Sequence, residues 1–177
     1  INTCIACNQA CLDHAFAGKT TSCLVNPRAC HETVLNWGPT EQPKKIAVVG
    51  AGPAGLSYAT VAAERGHAVT LYDAADEIGG QFNLAKQVPG KEEFHETIRY
   101  YRAMMTKHEV TMCLGEKVDA QALVDAGFDH VVVATGISPR APDIPGIDHE
   151  KVVGYIDAIR GNKPIGQKVA VIGAGGI

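Results

Sequence analysis

The chain has 177 residues, a hydrophobic content of 46% and a formal net charge of −3 at pH 7. This length and composition suit a globular protein with one sizeable core. Its lysine and arginine residues are scattered, so the sequence presents neither a basic surface for nucleic acid nor a polybasic patch for a membrane. The apolar runs are too short to cross a bilayer and no signal-peptide pattern opens the chain, so we expect a cytoplasmic protein.

Both ends of the chain suggest that it belongs to a longer protein. It opens on Ile1 instead of a methionine, and it closes within a second glycine motif, Gly173-Ala-Gly-Gly-Ile177. The third small residue of that motif would be the next one along the chain. We therefore expect an internal piece of a larger protein.

The sequence divides into an irregular first part and a regular second part. Residues 1–40 show no sustained helical or strand period and contain turn formers such as Pro27, Gly38 and Pro39. From residue 44 onward strands and helices alternate, which predicts an α/β fold with a parallel sheet. The predicted strands cover residues 46–49, 68–72, 110–114, 128–134 and 168–172. The predicted helices cover residues 53–65, 91–108, 120–126 and 154–160.

Two of these helices have patterns that indicate how they pack. The helix at 53–65 has a face of small side chains for close packing on the sheet: Ala54, Leu56, Ala59, Ala62 and Ala63. Gly66 then provides a C-terminal stop. The helix at 91–108 is amphipathic and is expected to bury one side: Phe94, Ile98, Tyr101, Met104 and Met105.

Four cysteines near the start are spaced Cys-x2-Cys-x3-Cys-x11-Cys, at Cys4, Cys7, Cys11 and Cys23. One turn can deliver three closely spaced thiolates and a loop can return the fourth, so the set suits a metal centre. Structural zinc more often uses two separated Cys-x2-Cys pairs, which favours a [4Fe-4S] cluster. Zinc and a disulfide or purely structural set are the alternatives.

Two further cysteines are expected to be structural. Cys30 is predicted to be a small buried hydrophobe, with a substitute metal ligand as the alternative. Cys113 falls in a predicted strand and is expected in the core. His14 and His31 are close to the cluster in sequence and are expected to support it from outside, to face solvent or to contact another domain.

A glycine-rich turn, Gly50-Ala-Gly-Pro-Ala-Gly55, follows the first predicted strand and opens the first predicted helix. Gly50, Gly52 and Gly55 permit a tight turn, a close approach to a pyrophosphate and close packing of helix on strand. Asp73 lies 18 residues beyond Gly55, at the end of the second predicted strand. A carboxylate there can accept hydrogen bonds from a ribose and would repel a 2′-phosphate. A capping or surface aspartate is the alternative.

Two later segments, Gly79-Gly80 and Thr135-Gly136, also allow the backbone to pass close to a dinucleotide. Either alone could be an ordinary turn, but their combination resembles the flavoprotein reductases that have two dinucleotide sites. In those proteins FAD uses the first glycine motif and NAD(P)H the second, here the one at Gly173. The expected fold is therefore a Rossmann-like FAD-binding domain, preceded by the cysteine-rich iron-sulfur segment and followed by the truncated start of a second Rossmann-like domain.

Along essentially its whole length the sequence closely resembles the bacterial NADPH-dependent 2,4-dienoyl-CoA reductases. The resemblance rests on Cys4-Ile-Ala-Cys-Asn-Gln-Ala-Cys11, Thr21-Ser-Cys-Leu-Val-Asn-Pro27, Ala47-Val-Val-Gly-Ala-Gly-Pro-Ala-Gly-Leu56 and Glu77-Ile-Gly-Gly-Gln-Phe-Asn83. In that family a flavin-containing barrel related to old yellow enzyme precedes this segment. The resemblance implies that NADPH reduces FAD, that electrons cross a [4Fe-4S] cluster singly to FMN, and that FMN reduces a dienoyl thioester.

By position, the resemblance assigns the four clustered cysteines to iron and Gln9, in their loop, to the FMN side. It assigns contacts with FAD to Ala54, Asp73, Gln81, Lys91 and Val118, in addition to Gly80 of the glycine pair. Without the resemblance, Lys91 would be a solvated residue at a helix start and Val118 a core residue. The barrel tyrosine and histidine of the family lie outside this sequence, so no catalytic residue is assigned.

These inferences define three regions and a function. Residues 1–40 are the iron-sulfur segment and linker, 41–150 an incomplete FAD-binding domain, and 151–177 a connection and the start of an NAD(P)H-binding domain. The expected partners are the missing N-terminal flavin barrel and C-terminal NAD(P)H domain of the same protein. The isolated chain is not expected to turn over, and it is expected to hold FAD weakly or not at all.

Three alternatives remain open at this stage. The first is an enoate reductase. The second is a relative of the amine dehydrogenases, although trimethylamine dehydrogenase has a shorter interval between its second and third cysteines. The third is a zinc-stabilised nucleotide-binding module without redox chemistry.

Overall fold

The computed structural model describes residues 1–173 and separates into two compact units, Ile1–Ile137 and Ser138–Ile177. The strands are β1 (Lys45–Val49), β2 (Ala68–Asp73), β3 (Thr111–Leu114) and β4 (His130–Val133). The helices are α1 (Leu12–Phe16), α2 (Pro53–Glu64), α3 (Phe82–Ala85), α4 (Phe94–Lys107), α5 (Ala120–Asp125) and α6 (Tyr155–Arg160). The second unit contains α6, and residues 174–177 of the predicted second glycine motif lie outside the described residues.

The first unit is built on a four-stranded parallel sheet with the order β3-β2-β1-β4. The chain moves outward from β1 to β2 and β3, and then crosses back to place β4 on the other side of β1. Because β1 is central its apolar run is buried, with Ile46, Ala47 and Val48 at most 2% exposed. The predicted α/β fold and its first four strands are confirmed.

Helix α2 links β1 to β2 and packs against both strands. Pro53 occupies its first turn, where the missing N–H has no intrahelical partner to lose. Leu56, Ala59 and Ala62 are buried, as predicted, because small side chains let the helix approach the sheet closely. Ala54 is exposed, so its predicted place on the packed face is wrong. It lies in the first turn of α2, beyond the end of β1.

Helix α4 packs against α2 and is shorter than the predicted helix at 91–108. Phe94, Ile98 and Met105 are buried, and Tyr101 and Met104 are half-buried, so the predicted apolar face is confirmed. The short helix α3 lies between β2 and α4 and was not predicted. No helix within residues 1–173 is long and apolar enough to cross a membrane.

Residues 168–172 do not form the predicted strand. Val169, Val171 and Ile172 are 60%, 82% and 75% exposed. A strand needs a neighbour for its backbone hydrogen bonds, and the described part of the second unit contains no strand that could pair with these residues. The apolar pattern alone therefore does not produce a strand here.

The irregular segment at residues 1–43 is attached to the far end of α2. The Trp37 Nε1–H group donates to Glu64 Oε2 at 3.2 Å, and the Thr40 N–H donates to Arg65 O at 2.7 Å. Within residues 1–43 Ala10 is the one buried residue. Hydrogen bonds, and not a core of its own, therefore hold this segment in place.

Candidate functional site

The carboxyl ends of the parallel strands meet at one edge of the sheet. The strand order reverses between β1 and β4, and open α/β sheets bind ligands in the crevice beyond the strand ends at such a point. Three turns of the first unit line this place: residues 50–52, 79–80 and 134–136. We call these three turns the cradle.

The first and third turns of the cradle touch without room for a side chain. Gly50 has a φ of +112°, and a Cβ on it would overlap the carbonyl group of Ala134. The Ala134 N–H donates to Val49 O at 2.8 Å, which holds the two turns in register. A Cβ on Gly55 would overlap Gly50 O, so the start of α2 also packs against the first turn. Gly50 and Gly55 are therefore required for packing.

Gly52 is in a different environment, because a Cβ on it would meet no atom within 4 Å. It is the N-cap residue of α2, at the positive end of the helix dipole. The first N–H groups of a helix have no partner within the helix and are natural donors to phosphate oxygens. The open space beside Gly52 can therefore take an anionic group.

The second turn of the cradle is attached to the first through the backbone. The Gly79 N–H donates to Ala51 O at 2.8 Å. A Cβ on Gly80 would lie 3.1 Å from the Cα of Gly52, so the second turn packs closely against the backbone of the first. Gly80 itself is exposed. The first and second turns are therefore held together at Gly52 and Gly80 as well as by this hydrogen bond.

Asp73, at the end of β2, binds the backbone of the first turn. Its Oδ2 accepts a hydrogen bond from the Ala51 N–H at 2.6 Å, and its Oδ1 accepts one from the Ala75 N–H at 2.8 Å. The carboxylate predicted to bind ribose therefore also positions the glycine turn. Each carboxylate oxygen can accept more than one hydrogen bond, so capacity for ligand hydroxyl groups remains.

Three further predicted dinucleotide contacts, Thr135, Gly136 and Gln81, lie in or next to the cradle. Thr135 and Gly136 are exposed in the third turn, and Gly136 has a φ of +76°. The Gln81 Nε2–H group donates to Ile137 O at 3.4 Å, which joins the second turn to the third. The structure thus brings these residues together with the first glycine motif.

Lys91 and Val118 lie outside the three turns. Lys91 is exposed, and its Nζ is 5.3 Å from the ring centroid of Phe94 in a cation–π arrangement. Val118 is half-buried in the loop between β3 and α5. Their roles toward a dinucleotide stay predictions.

Two hydrogen bonds close the loop that carries the four clustered cysteines. The Asn2 Nδ2–H group donates to Val25 O at 3.0 Å, and the Ser22 N–H donates to Ala10 O at 2.7 Å. These bonds join the stretch that holds the first three cysteines to the stretch that holds the fourth. Gln9 is exposed within this loop.

The clustered cysteines are free thiols: Cys4 and Cys11 are exposed, and Cys7 and Cys23 are half-buried. Within residues 1–173 no three His, Cys, Asp or Glu side chains are grouped so that they could hold a metal ion. The Ala6 N–H donates to Cys4 Sγ at 3.4 Å, and hydrogen bonds to sulfur tune thiolate ligands of iron-sulfur clusters. Thiols are the ligands that iron-sulfur and structural zinc centres use, but the described residues do not group these four.

The two other cysteines have different environments. Cys30 is exposed and its Sγ lies 3.2 Å from Thr21 Oγ1, so the prediction of a buried side chain is wrong. No core covers this part of the chain. Cys113 is half-buried in β3, where burial and the charge of Glu116 raise the pKa of its thiol. That thiol therefore stays protonated to a higher pH than an ordinary cysteine.

Sequence analysis missed Asn83, whose side chain holds the second turn of the cradle. Its Nδ2–H group donates to Ile78 O at 3.0 Å. The residue falls within a motif that indicates a glycine turn, but nothing in the motif shows that the amide reaches back to the backbone before the turn.

Comparison with known proteins extends over the whole chain. The pyridine nucleotide-disulphide oxidoreductase family matches residues 44–177, which begin just before β1. A metal reductase of Desulforamulus reducens is 40% identical and aligns with 100% of this chain and 27% of its own length. That similarity includes the cysteine-rich segment, which lies outside the family match.

Two other proteins give a similar result. An N,N-dimethylglycine/sarcosine dehydrogenase of Chromohalobacter salexigens is 35% identical over 97% of this chain and 26% of its own length. A solved complex of 2-naphthoyl-CoA reductase with 2-naphthoyl-CoA has a TM-score of 0.89 and 38% identity, over 93% of this chain and 25% of its own. The chain therefore spans about a quarter of the length of these relatives. With the family match covering the sheet, the glycine turns and the second unit, the chain belongs to the pyridine nucleotide-disulphide oxidoreductase family.

Proposed function

We propose that this chain is the electron-transfer segment of a larger flavin-dependent oxidoreductase. In this proposal FAD binds in the cradle, a [4Fe-4S] cluster binds to Cys4, Cys7, Cys11 and Cys23, and NAD(P)H supplies the electrons. They leave toward FMN in a flavin barrel that belongs to the same protein. Bound flavin accepts a hydride and releases electrons singly, whereas an iron-sulfur cluster carries one electron at a time.

The observation that carries the proposal is the cradle itself. Three turns that contain glycine meet at the point where the strand order reverses, and Gly52, at the N-terminus of α2, has open space where a Cβ would stand. This arrangement suits a pyrophosphate, because backbone N–H groups and the helix dipole both favour negative charge. A bulky side chain at Gly52 would fill the space that the phosphates need.

The residues around the cradle indicate which dinucleotide fits. Asp73 carries a negative charge at the end of β2, where the ribose of a dinucleotide lies in such folds. It can accept hydrogen bonds from ribose hydroxyl groups and would repel a 2′-phosphate. The cradle therefore suits FAD or NAD better than NADP. We assign FAD because the family combines a flavin with a pyridine nucleotide, and the latter would bind at the second glycine motif.

The cysteine loop supports the second half of the proposal. Its four free thiols lie in the same compact unit as the cradle, and one of them already accepts an N–H bond from the backbone. The loop has almost no buried apolar surface, so bound metal would provide the missing stabilisation. The four thiols would bind the iron atoms, and Gln9 would face the FMN side.

The relatives differ in the substrates that their names state: a metal, N-methylated amino acids and an aromatic acyl thioester. All share this segment, so the segment does not determine the substrate. We propose a conjugated acyl thioester of the 2,4-dienoyl-CoA type, reduced at the barrel. This class rests on the resemblance of the sequence to the 2,4-dienoyl-CoA reductases, and one solved relative was bound to another unsaturated acyl-CoA, 2-naphthoyl-CoA.

The proposal can be tested on the full-length natural protein, purified without oxygen. We expect FAD, FMN and about four irons with matching sulfide per chain. NADPH or NADH should be consumed with a 2,4-dienoyl-CoA as acceptor, and no faster with its saturated analogue than with no acceptor. One zinc and no iron would refute the electron-transfer path. Oxidation of a methylated amine, with no reduction of the thioester, would replace the proposed substrate class while keeping the cofactors.

A further inference from the structure

The second turn of the cradle consists of two glycines in conformations that other residues rarely adopt. Gly79 has a φ of +124° and Gly80 a φ of +55°. Glycine loses more conformational entropy on ordering than any other residue, so such a turn needs anchors outside itself. The hydrogen bond from the Gly79 N–H to Ala51 O is one anchor, on the side of the first turn.

Asn83, in the first turn of α3, provides the opposite anchor. Its side-chain Nδ2–H group donates to Ile78 O at 3.0 Å, and its backbone N–H donates to Gly80 O at 3.1 Å. The two carbonyl groups lie on either side of Gly79. A single residue thus holds the backbone before and after the bend.

Among the amino acids, only glycine at position 79 leaves space for the side chain of Asn83. A Cβ on Gly79 would lie 2.8 Å from both Nδ2 and Oδ1 of Asn83, and 2.7 Å from Cδ1 of Ile98. The amide therefore lies directly against the Cα of Gly79. The absence of a side chain at this position makes room for the anchor as well as permitting the positive φ.

The orientation of the Asn83 amide follows from its acceptor. A carbonyl oxygen can only accept, so Nδ2 must face Ile78 O. Oδ1 is then left buried, with no hydrogen-bond donor within residues 1–173. A buried acceptor without a donor opposes folding, and an apolar side chain of the same size would avoid this cost. The environment of Asn83 is therefore better explained by the turn it holds than by packing.

We propose that Asn83 is a positioning residue for the dinucleotide site. It orders the Gly79-Gly80 turn before any ligand arrives, which keeps Gly80 packed against the backbone of Gly52. When the turn is ordered in advance, FAD binding does not have to include the conformational-entropy cost of ordering it. This inference rests on the proposed function, because it takes FAD as the ligand of the cradle.

The test compares the wild-type full-length protein with N83D, after removal of flavin. N83D keeps the side-chain shape and replaces the donor Nδ2 with an oxygen that faces Ile78 O. We expect the FAD dissociation constant, measured by calorimetry at neutral pH, to rise about tenfold. It should return toward the wild-type value as the pH falls, because a protonated carboxyl group can donate to Ile78 O.

Two controls accompany this comparison. N162D changes an asparagine at the end of α6 that also makes a side-chain hydrogen bond, to Asp157 Oδ1 at 3.3 Å, and it should leave FAD affinity unchanged. N83S removes the amide without adding charge, and it replaces N83D if that variant does not fold. It should weaken FAD binding at every pH.

Three results would overturn the positioning role of Asn83. An unchanged FAD dissociation constant in N83D overturns the inference, even if the melting temperature of the flavin-free protein falls, because the anchor would then serve stability alone. In N83D, weakened binding without recovery at low pH also overturns the inference, since loss of the donor to Ile78 O would not be the cause. If the wild-type protein binds no FAD at all, the proposed function fails first, and the inference fails with it.

Discussion

The cradle and the cysteine loop lie in one compact unit, but different forces hold them in shape. The first turn of the cradle follows β1, whose Ala47 and Val48 are fully buried, and backbone hydrogen bonds join the other two turns to it. The cysteine loop has Ala10 as its buried residue and exposes Phe16 at 87%. A buried core thus fixes the position of the cradle, whereas the loop depends on a few polar contacts.

This difference shows what each region needs from its ligand. The sheet and α2 impose the geometry of the cradle, so we expect the cradle to keep its shape when no dinucleotide is bound. The cysteine side chains are not grouped to hold a metal within the described residues, although the backbone of their loop is closed. Metal binding and folding are coupled in loops of this kind. The cradle should therefore tolerate loss of its ligand better than the loop does.

The largest effect is expected from removing one clustered thiol. In the full-length protein C11A should lose most of its iron and its broad visible absorption, because a cluster needs all its protein ligands. C30A is the matched control, since Cys30 is also exposed but lies outside the four-cysteine spacing. Metal analysis of the two variants measures the difference. Iron loss in C30A but not in C11A would contradict the assigned ligand set.

A second test separates packing from ligand space within the cradle. G50A should destabilise the first unit by about 3 kcal/mol, because the methyl group would overlap Ala134 and the φ of +112° disfavours any side chain. G52A should cost about 1 kcal/mol or less, because its methyl group would meet open space and only the N-cap preference of α2 for glycine over alanine is lost. Melting temperatures of the flavin-free proteins measure this contrast.

The FAD affinity of G52A tests whether the open space at Gly52 is the space that the phosphates use. G52A should bind FAD more weakly, because its methyl group occupies the space proposed for the phosphates. Equal melting temperatures for G50A and G52A would mean that the close contact with Ala134 does not constrain the turn. Unchanged FAD affinity in G52A would move the phosphates away from this position.

A smaller effect is expected at the junction between the irregular segment and α2. W37F removes the donor to Glu64 but keeps an aromatic ring for Arg28, whose guanidinium lies 5.1 Å from the Trp37 ring centroid. We expect a loss of about 1 kcal/mol or less, because the bond is exposed. Limited proteolysis should cut residues 1–43 faster in W37F while the sheet stays intact. E41Q, at an exposed position nearby, is the control. Equal cleavage in the sheet would show that the two regions unfold together.

The smallest effect concerns two cysteines that lie outside the proposed cluster. Cys113 should react with iodoacetamide several-fold more slowly than Cys30 at mildly alkaline pH, because burial and Glu116 raise its pKa and reduce its thiolate fraction. Mass spectrometry of the alkylated peptides gives both rates. The rates should become similar in denaturant, where both cysteines are exposed. Equal rates in the folded protein would show that the sheet protects the thiol of Cys113 no better than the irregular segment protects the thiol of Cys30.

The cradle was largely predictable because its chemistry is local. Gly50 and Gly52 follow an apolar run and precede a helical pattern, and Asp73 ends the next run, so their place at the strand ends could be read from the sequence. The role of Asn83 could not, since it depends on a carbonyl group that the amide reaches only after α3 has formed. The exposure of Cys30 and the missing strand at 168–172 have a shared cause. Burial and strand formation both require neighbours, and the local pattern does not reveal whether neighbours exist.

By itself, the sequence determined the alternation of strands and helices, the positions of the glycine turns and the spacing of the cysteines. These features depend on side-chain size, hydrophobic period and backbone freedom within a few residues. Only the tertiary structure decided that β4 lies beside β1, that Gly80 faces Gly52 and that Asp73 binds the Ala51 N–H. Such contacts join residues far apart in the chain, so they follow from the direction of each crossover and the packing of helices on the sheet.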